Sequence, residues 1–145
     1  MQNMKRIQHL VTHISKYHRR NFNETDTNPE KHLYKDTIAC IFSIAGTLGF
    51  DLTKVANEKG MDIKTISDIK PIFDDYAVYN HMNDALDNLT KALEGWDHIE
   101  DIDYRAVIKD NTLTLLLCTF QLYVCGVSGR KKTDIPYPES VMSLF

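Results

Sequence analysis

The stretch PIFDDYAVYNHMNDALDNLTKALEG, residues 71–95, decides the fold class of this 145-residue chain. Its apolar side chains recur every three or four residues, the period of one face of an α-helix. Pro71 and Gly95 are residue types that favour the start and the end of a helix. The pattern predicts an amphipathic helix of about six turns, and its buried face is formed by Ile72, Tyr76, Tyr79, Met82, Leu86, Leu89 and Leu93.

Helical periodicity continues on both sides of this stretch. Asn28 and Pro29 predict a helix start, Gly49 and Gly60 predict helix ends, and Asp51 and Asp103 are predicted N-cap residues. Residues 21–28 are short and polar, and they predict the first loop. We therefore expect an all-α protein, a compact bundle of five to six helices. The expected helices are residues 4–18, 29 to 46 or 48, 52–58, 71–95 and 104–124, with one more helical turn in 62–69.

Two apolar runs, residues 37–50 and 113–126, predict the two central helices of the bundle. Each has 14 residues, too few for a membrane span, which needs about 20. Leu, Thr, Val and Tyr are mixed in residues 112–125, so a buried strand is the alternative there. The expected location is therefore the cytoplasm, with no membrane partner.

The composition fits one globular domain spanning residues 1–145, with an extended tail at 127–145. A chain of this length buries roughly 70% of its unfolded surface. Cys40, Cys118 and Cys125 lie in apolar runs, which predicts reduced thiols rather than a disulfide framework.

Charge is distributed unevenly along the chain. Residues 1–35 contain seven Lys or Arg against three Asp or Glu, and residues 36–145 contain ten against seventeen. The net charge is therefore +4 for residues 1–35 and −7 for residues 36–145. This pattern fits an anion or nucleic-acid contact, or self-association of opposite patches.

The polar side of the first helix carries the most localised group of candidate residues. His9, His13, Lys16 and Arg20 follow each other at four-, three- and four-residue steps, which places them on one stripe. Three interpretations stay open: a solvated basic face, a contact for an acidic protein or a phosphate-rich molecule, and a metal site that uses the His pair. The candidate residues are His9, His13, Lys16, Arg19 and Arg20.

Three acids form a second candidate group. Asp84 and Asp87 are three residues apart on the predicted helix 71–95, and Asp110 lies on the next helix. Carboxylate oxygens of this kind hold Mg²⁺ in phosphate-handling enzymes, whereas isolated surface acids keep a protein soluble. The phosphate-binding and nucleophile motifs GxxxxGK[ST], GxGxxG and GxSxG are absent from the sequence.

The segment DTIACIFSIAGTLGFDLTKVANEK, residues 36–59, resembles the third-helix region of the MazG-like all-α NTP pyrophosphatases. Asp36 matches the last acid of that family's motif, and residues 48–51, Leu-Gly-Phe-Asp, match its turn. The resemblance implies an Mg²⁺-dependent pyrophosphatase. However, His32 and Leu33 stand where the family has paired acids, and the upstream Glu-x-x-Glu is missing. A shifted register with Asp84, Asp87 and Asp110 restores only three acids, which implies a catalytically silent relative.

The expected function is therefore binding or regulation without catalysis and without a cofactor. The basic first helix would engage an acidic protein or a phosphate-rich partner such as a nucleotide or nucleic acid, and the chain would form a homodimer. The alternative function is the Mg²⁺-dependent pyrophosphatase.

Overall fold

The fold is all-α, as predicted. A computed structural model describes residues 2–23, 35–61, 77–97 and 104–125, and these residues form five helices and no strand. Several sequence predictions lie outside the described residues: the helix starts at Asn28–Pro29 and Pro71, the turn at 62–69, the Asp103 cap and the tail at 127–145. The helices are α1 (Gln2–Phe22), α2 (Thr37–Leu48), α3 (Leu52–Glu58), α4 (Ala77–Asp97) and α5 (Tyr104–Cys125).

The first helix is longer than the sequence pattern predicts. It continues through Phe22, so the prediction that residues 21 and 22 belong to a loop is wrong. Two contacts with α4 hold its last turn. The Asn21 side chain donates a hydrogen bond to the Tyr79 hydroxyl at 2.9 Å, and the Phe22 ring packs edge-on against the Tyr79 ring. Tertiary contact thus extends the helix through residues with weak helical preference.

Four helices form a closed ring in cross-section. Helix α1 packs against α2 and α4, and α5 packs against α2 and α4 on the other side. The interface between α4 and α5 is the most extensive, and the short α3 covers part of α5. All five helices contribute side chains to the core. Because α1 buries one face against α2 and α4, its opposite face meets solvent.

Helix α5 packs against three other helices, α2, α3 and α4. From Thr112 to Leu122 every described side chain except that of Thr114 is buried. The Thr119 hydroxyl donates a hydrogen bond to the Leu115 carbonyl oxygen at 2.7 Å, which satisfies a polar group in the core. The strand alternative for residues 112–125 is therefore wrong. A helix contacted by three others can be apolar on all sides.

The corner between α2 and α3 is formed by the predicted cap residues. Gly49 adopts φ 71°, a left-handed conformation that glycine tolerates best, and its N–H donates to carbonyl oxygens at the end of α2. The Asp51 carboxylate accepts hydrogen bonds from the backbone N–H groups of Thr53 and Lys54. The chain bends by 83° between α2 and α3. Among the described residues no single helix has the length and hydropathy of a membrane span, and only this bent pair meets both criteria together.

Candidate functional site

The predicted stripe lies on the solvent face of α1. His9, Lys16, Arg19 and Arg20 are exposed, and His13 is half-buried. Lys5 and Arg6 are exposed as well. At roughly 100° per residue, all seven basic side chains fall within about 140° of the helix circumference. The structure therefore places the five predicted residues on one face and adds Lys5 and Arg6 to them. We call these seven residues the basic face.

No acidic residue interrupts the basic face. Residues 2–23 contain five Lys or Arg and no Asp or Glu. Arg19 and Arg20 lie in the last turn, where the negative end of the helix dipole favours a cation. Lys5 lies near the opposite end, where a cation is unfavourable, and the first turn has no acid to offset it. The charge distribution therefore favours the stability of α1 in its last turn and opposes it near its start.

Two histidines meet at the middle of the basic face. The Nε2 atoms of His9 and His13 are 3.1 Å apart, and the two rings meet edge-on with their centroids 4.4 Å apart. The Lys16 ammonium lies 5.3 Å from the centroid of the Tyr17 ring. Desolvation, and then the charges of His9 and Lys16, lower the pKa of His13 below its usual value.

A third histidine lies on the opposite face of the same helix. His18 is only 4% exposed, and its Nε2 lies 2.9 Å from Oδ1 of Asn83 on α4. Its Nδ1 is buried without a hydrogen-bond partner. Burial lowers the pKa of His18, and the hydrogen bond to Asn83 opposes this shift in part. The neutral imidazole is therefore the form that the fold favours.

Sequence reasoning missed His18, although a signal was present. His18 continues the spacing of Val11 and Ile14, so it falls at the centre of the apolar face rather than on the basic stripe. Beside it, a cavity of about 330 Å³ is lined by residues of both α1 and α4. Polar and charged side chains line most of this cavity: Ser15, Arg19, Asn23, Asn83 and Asp87.

The three predicted metal-binding acids are exposed on two helices. Asp84 and Asp87 are on α4, and Asp87 lines the cavity next to α1. Asp110 on α5 instead forms an ion pair with Lys59, with Nζ and Oδ1 3.0 Å apart. Within the part of the chain that the structure describes, no group of three or more His, Cys, Asp or Glu is placed to hold a metal ion. These acids therefore lend no geometric support to the pyrophosphatase alternative, which stays a prediction of the resemblance.

A cavity of about 580 Å³ lies between α4 and α5, and its lining includes none of the predicted site residues. The Asn88 amide donates a hydrogen bond to Oδ1 of Asn111 at 3.1 Å across this interface. The Asn111 amide in turn donates to the Val107 carbonyl oxygen, so these polar groups satisfy each other.

Comparisons of the chain with protein-family models, with curated proteins and with solved structures give no match.

Proposed function

We propose that this protein is a cytoplasmic, non-catalytic binding protein whose basic face docks on an acidic protein surface or a phosphate-rich molecule. One observation carries the proposal: seven basic side chains share one face of α1, and that helix contains no acid. Like charges on one face repel each other, and an anionic partner relieves this repulsion.

The dimensions of the basic face suit an extended partner. Lys5 and Arg20 are 15 residues apart, which corresponds to about 22 Å along the helix axis. Charges spread over this length attract an anionic surface at long range and raise the association rate more than the affinity of the final complex. We therefore expect binding that weakens steeply as salt screens the charges.

A second copy of the chain is one protein partner with suitable chemistry. Helix α4 exposes Asp84, Asp87 and Glu94. The basic face of one protomer can pair with these acids on another, which gives the proposed homodimer a specific contact. Sedimentation velocity at low and high salt tests this contact, because an electrostatic dimer dissociates at high salt.

The binding proposal is tested by fluorescence anisotropy with three labelled probes: a random-sequence RNA oligonucleotide, a polyglutamate peptide and an uncharged peptide. The variant replaces Lys5, Lys16 and Arg20 by Gln. Its matched control replaces Lys54, Lys91 and Arg105, three exposed cations of other helices, by Gln. Both variants lose three charges, so a difference in probe affinity between them shows that the position of the charges matters, not only their number.

We expect the wild type and the control to bind at least one anionic probe, and the Lys5, Lys16 and Arg20 variant to bind it at least about tenfold more weakly. Equal affinity of the two variants, with both folded by circular dichroism, would contradict the proposal. So would equal binding of the anionic and uncharged probes by the wild type.

A further inference from the structure

The contact between His9 and His13 has a geometry that the basic face does not need. The residues are four apart on an exposed helix, and their side chains could point away from each other into water. Instead the Nε2 atoms of the two rings share a hydrogen bond of 3.1 Å, in which the tautomers decide which nitrogen donates. These are also the atoms with which neutral imidazoles bind metal ions.

This separation fits two ligands of one metal ion. Zn²⁺ lies about 2.0–2.1 Å from a histidine nitrogen. Two such nitrogens are about 2.9 Å apart when the angle at the metal is 90°, and about 3.4 Å apart at the tetrahedral angle. The observed 3.1 Å lies between these values. Rotation of the two side chains breaks their shared hydrogen bond and turns both nitrogen lone pairs toward the ion.

We propose that His9 and His13 chelate one divalent transition-metal ion of the zinc class through their two Nε2 atoms. Water completes the coordination shell and leaves positions open to an oxygen ligand, as in other open zinc sites. Imidazole nitrogens select Zn²⁺, Ni²⁺ and Cu²⁺ over Mg²⁺ and Ca²⁺, which prefer oxygen ligands.

The charged surroundings of the pair oppose metal binding. The nearby Lys16 ammonium repels a cation, so we expect moderate affinity and easy exchange of the ion. Competition from the two described thiols is weak, because burial raises the pKa of Cys118 to about 12 and also raises that of Cys40.

The test is a Zn²⁺ titration of the full chain, by isothermal calorimetry at pH 7.5 without any anionic probe. His9→Ala and His13→Ala remove one ligand each, and His81→Ala removes an exposed histidine of α4 as the matched control. We expect each of the first two variants to bind Zn²⁺ at least about tenfold more weakly, because a single imidazole loses the chelate. The control should bind as the wild type does.

Proton competition gives a second readout, because binding through imidazole should weaken as the pH falls from 7.5 to 5.5. Zn²⁺ affinity that is unchanged in both His9→Ala and His13→Ala, or no Zn²⁺ binding by the wild type, would overturn the proposal. The metal proposal and the proposed function can fail separately, since the anion-binding experiment is run with EDTA present.

Discussion

The two faces of α1 use similar residues for different purposes. On the exposed face, His9 and His13 lie among Lys and Arg side chains and contact each other. On the buried face, His18 packs beside Tyr79 with ring centroids 5.6 Å apart and meets Asn83 across the helix interface. Residue type alone therefore does not assign a role to a histidine. Its position on the helix decides whether it is available to a partner or belongs to the core.

The faces also differ in how they affect stability. Ile7 and Ile14 on the buried face are fully removed from solvent, and burial of such side chains stabilises the fold by roughly 1.5–3 kcal/mol each. On the basic face the cations repel each other, and Lys5 lies near the positive end of the helix dipole, although Arg19 and Arg20 lie favourably at its negative end. We infer that the buried face maintains the fold and that the exposed face is free to serve binding.

The largest expected effect comes from the core. Ile14→Ala should lower the free energy of unfolding by about 2–5 kcal/mol, because it leaves a cavity where α1 packs into the bundle. Lys16→Gln, two residues away on the exposed face, should change it by less than about 0.5 kcal/mol. Urea denaturation measures the free energy of unfolding of both variants. Equal destabilisation would contradict the claim that the buried face maintains the fold and the exposed face does not.

The next effect is the pH dependence that His18 confers. Its pKa is lowered in the folded state, so the unfolded chain binds a proton more readily. Stability is therefore full above the unfolded pKa of about 6.5 and falls as the pH drops from that value toward the lower folded pKa. The slope for this group is at most about 1.4 kcal/mol per pH unit.

Denaturation at pH 7.5, 6.5 and 5.5 checks this expectation. His18→Gln should lose this part of the acid sensitivity, because glutamine does not titrate, whereas His81→Gln on the exposed side of α4 should keep it. If His18→Gln retained the full pH dependence of the wild type, burial of a neutral His18 would not be its source.

The helix dipole gives the smallest and most specific contrast. Lys5→Glu should raise the free energy of unfolding by about 0.3–1 kcal/mol, because it places an acid near the start of α1. The same change should weaken anion binding, since it reverses one charge of the basic face. A variant that is both more stable and a weaker binder would support the view that Lys5 on the basic face is not optimised for stability. Reduced stability would oppose it.

The sequence predicted the helices well where apolar periodicity was strong. Apolar periodicity predicts the helix that contains Tyr79, Met82 and Leu89, because these side chains all face the core. The cap at Asp51 and the end at Gly49 were also predicted, since local hydrogen bonds and backbone conformation determine them.

Contacts between distant residues could not be predicted in this way. The last turn of α1 depends on Tyr79, which is 57 residues beyond Phe22, and no local pattern reports that pairing. The site was predicted in part: spacing placed the basic residues on one stripe, but the convergence of the His9 and His13 nitrogens depends on side-chain rotamers. The contact of His18 with Asn83 depends on how α1 packs against α4.

The most direct test of the proposed function maps bound anions on the protein. Amide chemical shifts in ¹H–¹⁵N spectra are followed while the RNA or polyglutamate probe is added at low salt. The proposed function predicts that the largest shifts occur along α1, at Lys5, Lys16, Arg20 and their neighbours, and that they disappear at high salt. Shifts centred on α3 and α5 instead, or no shifts with either anionic probe, would contradict it.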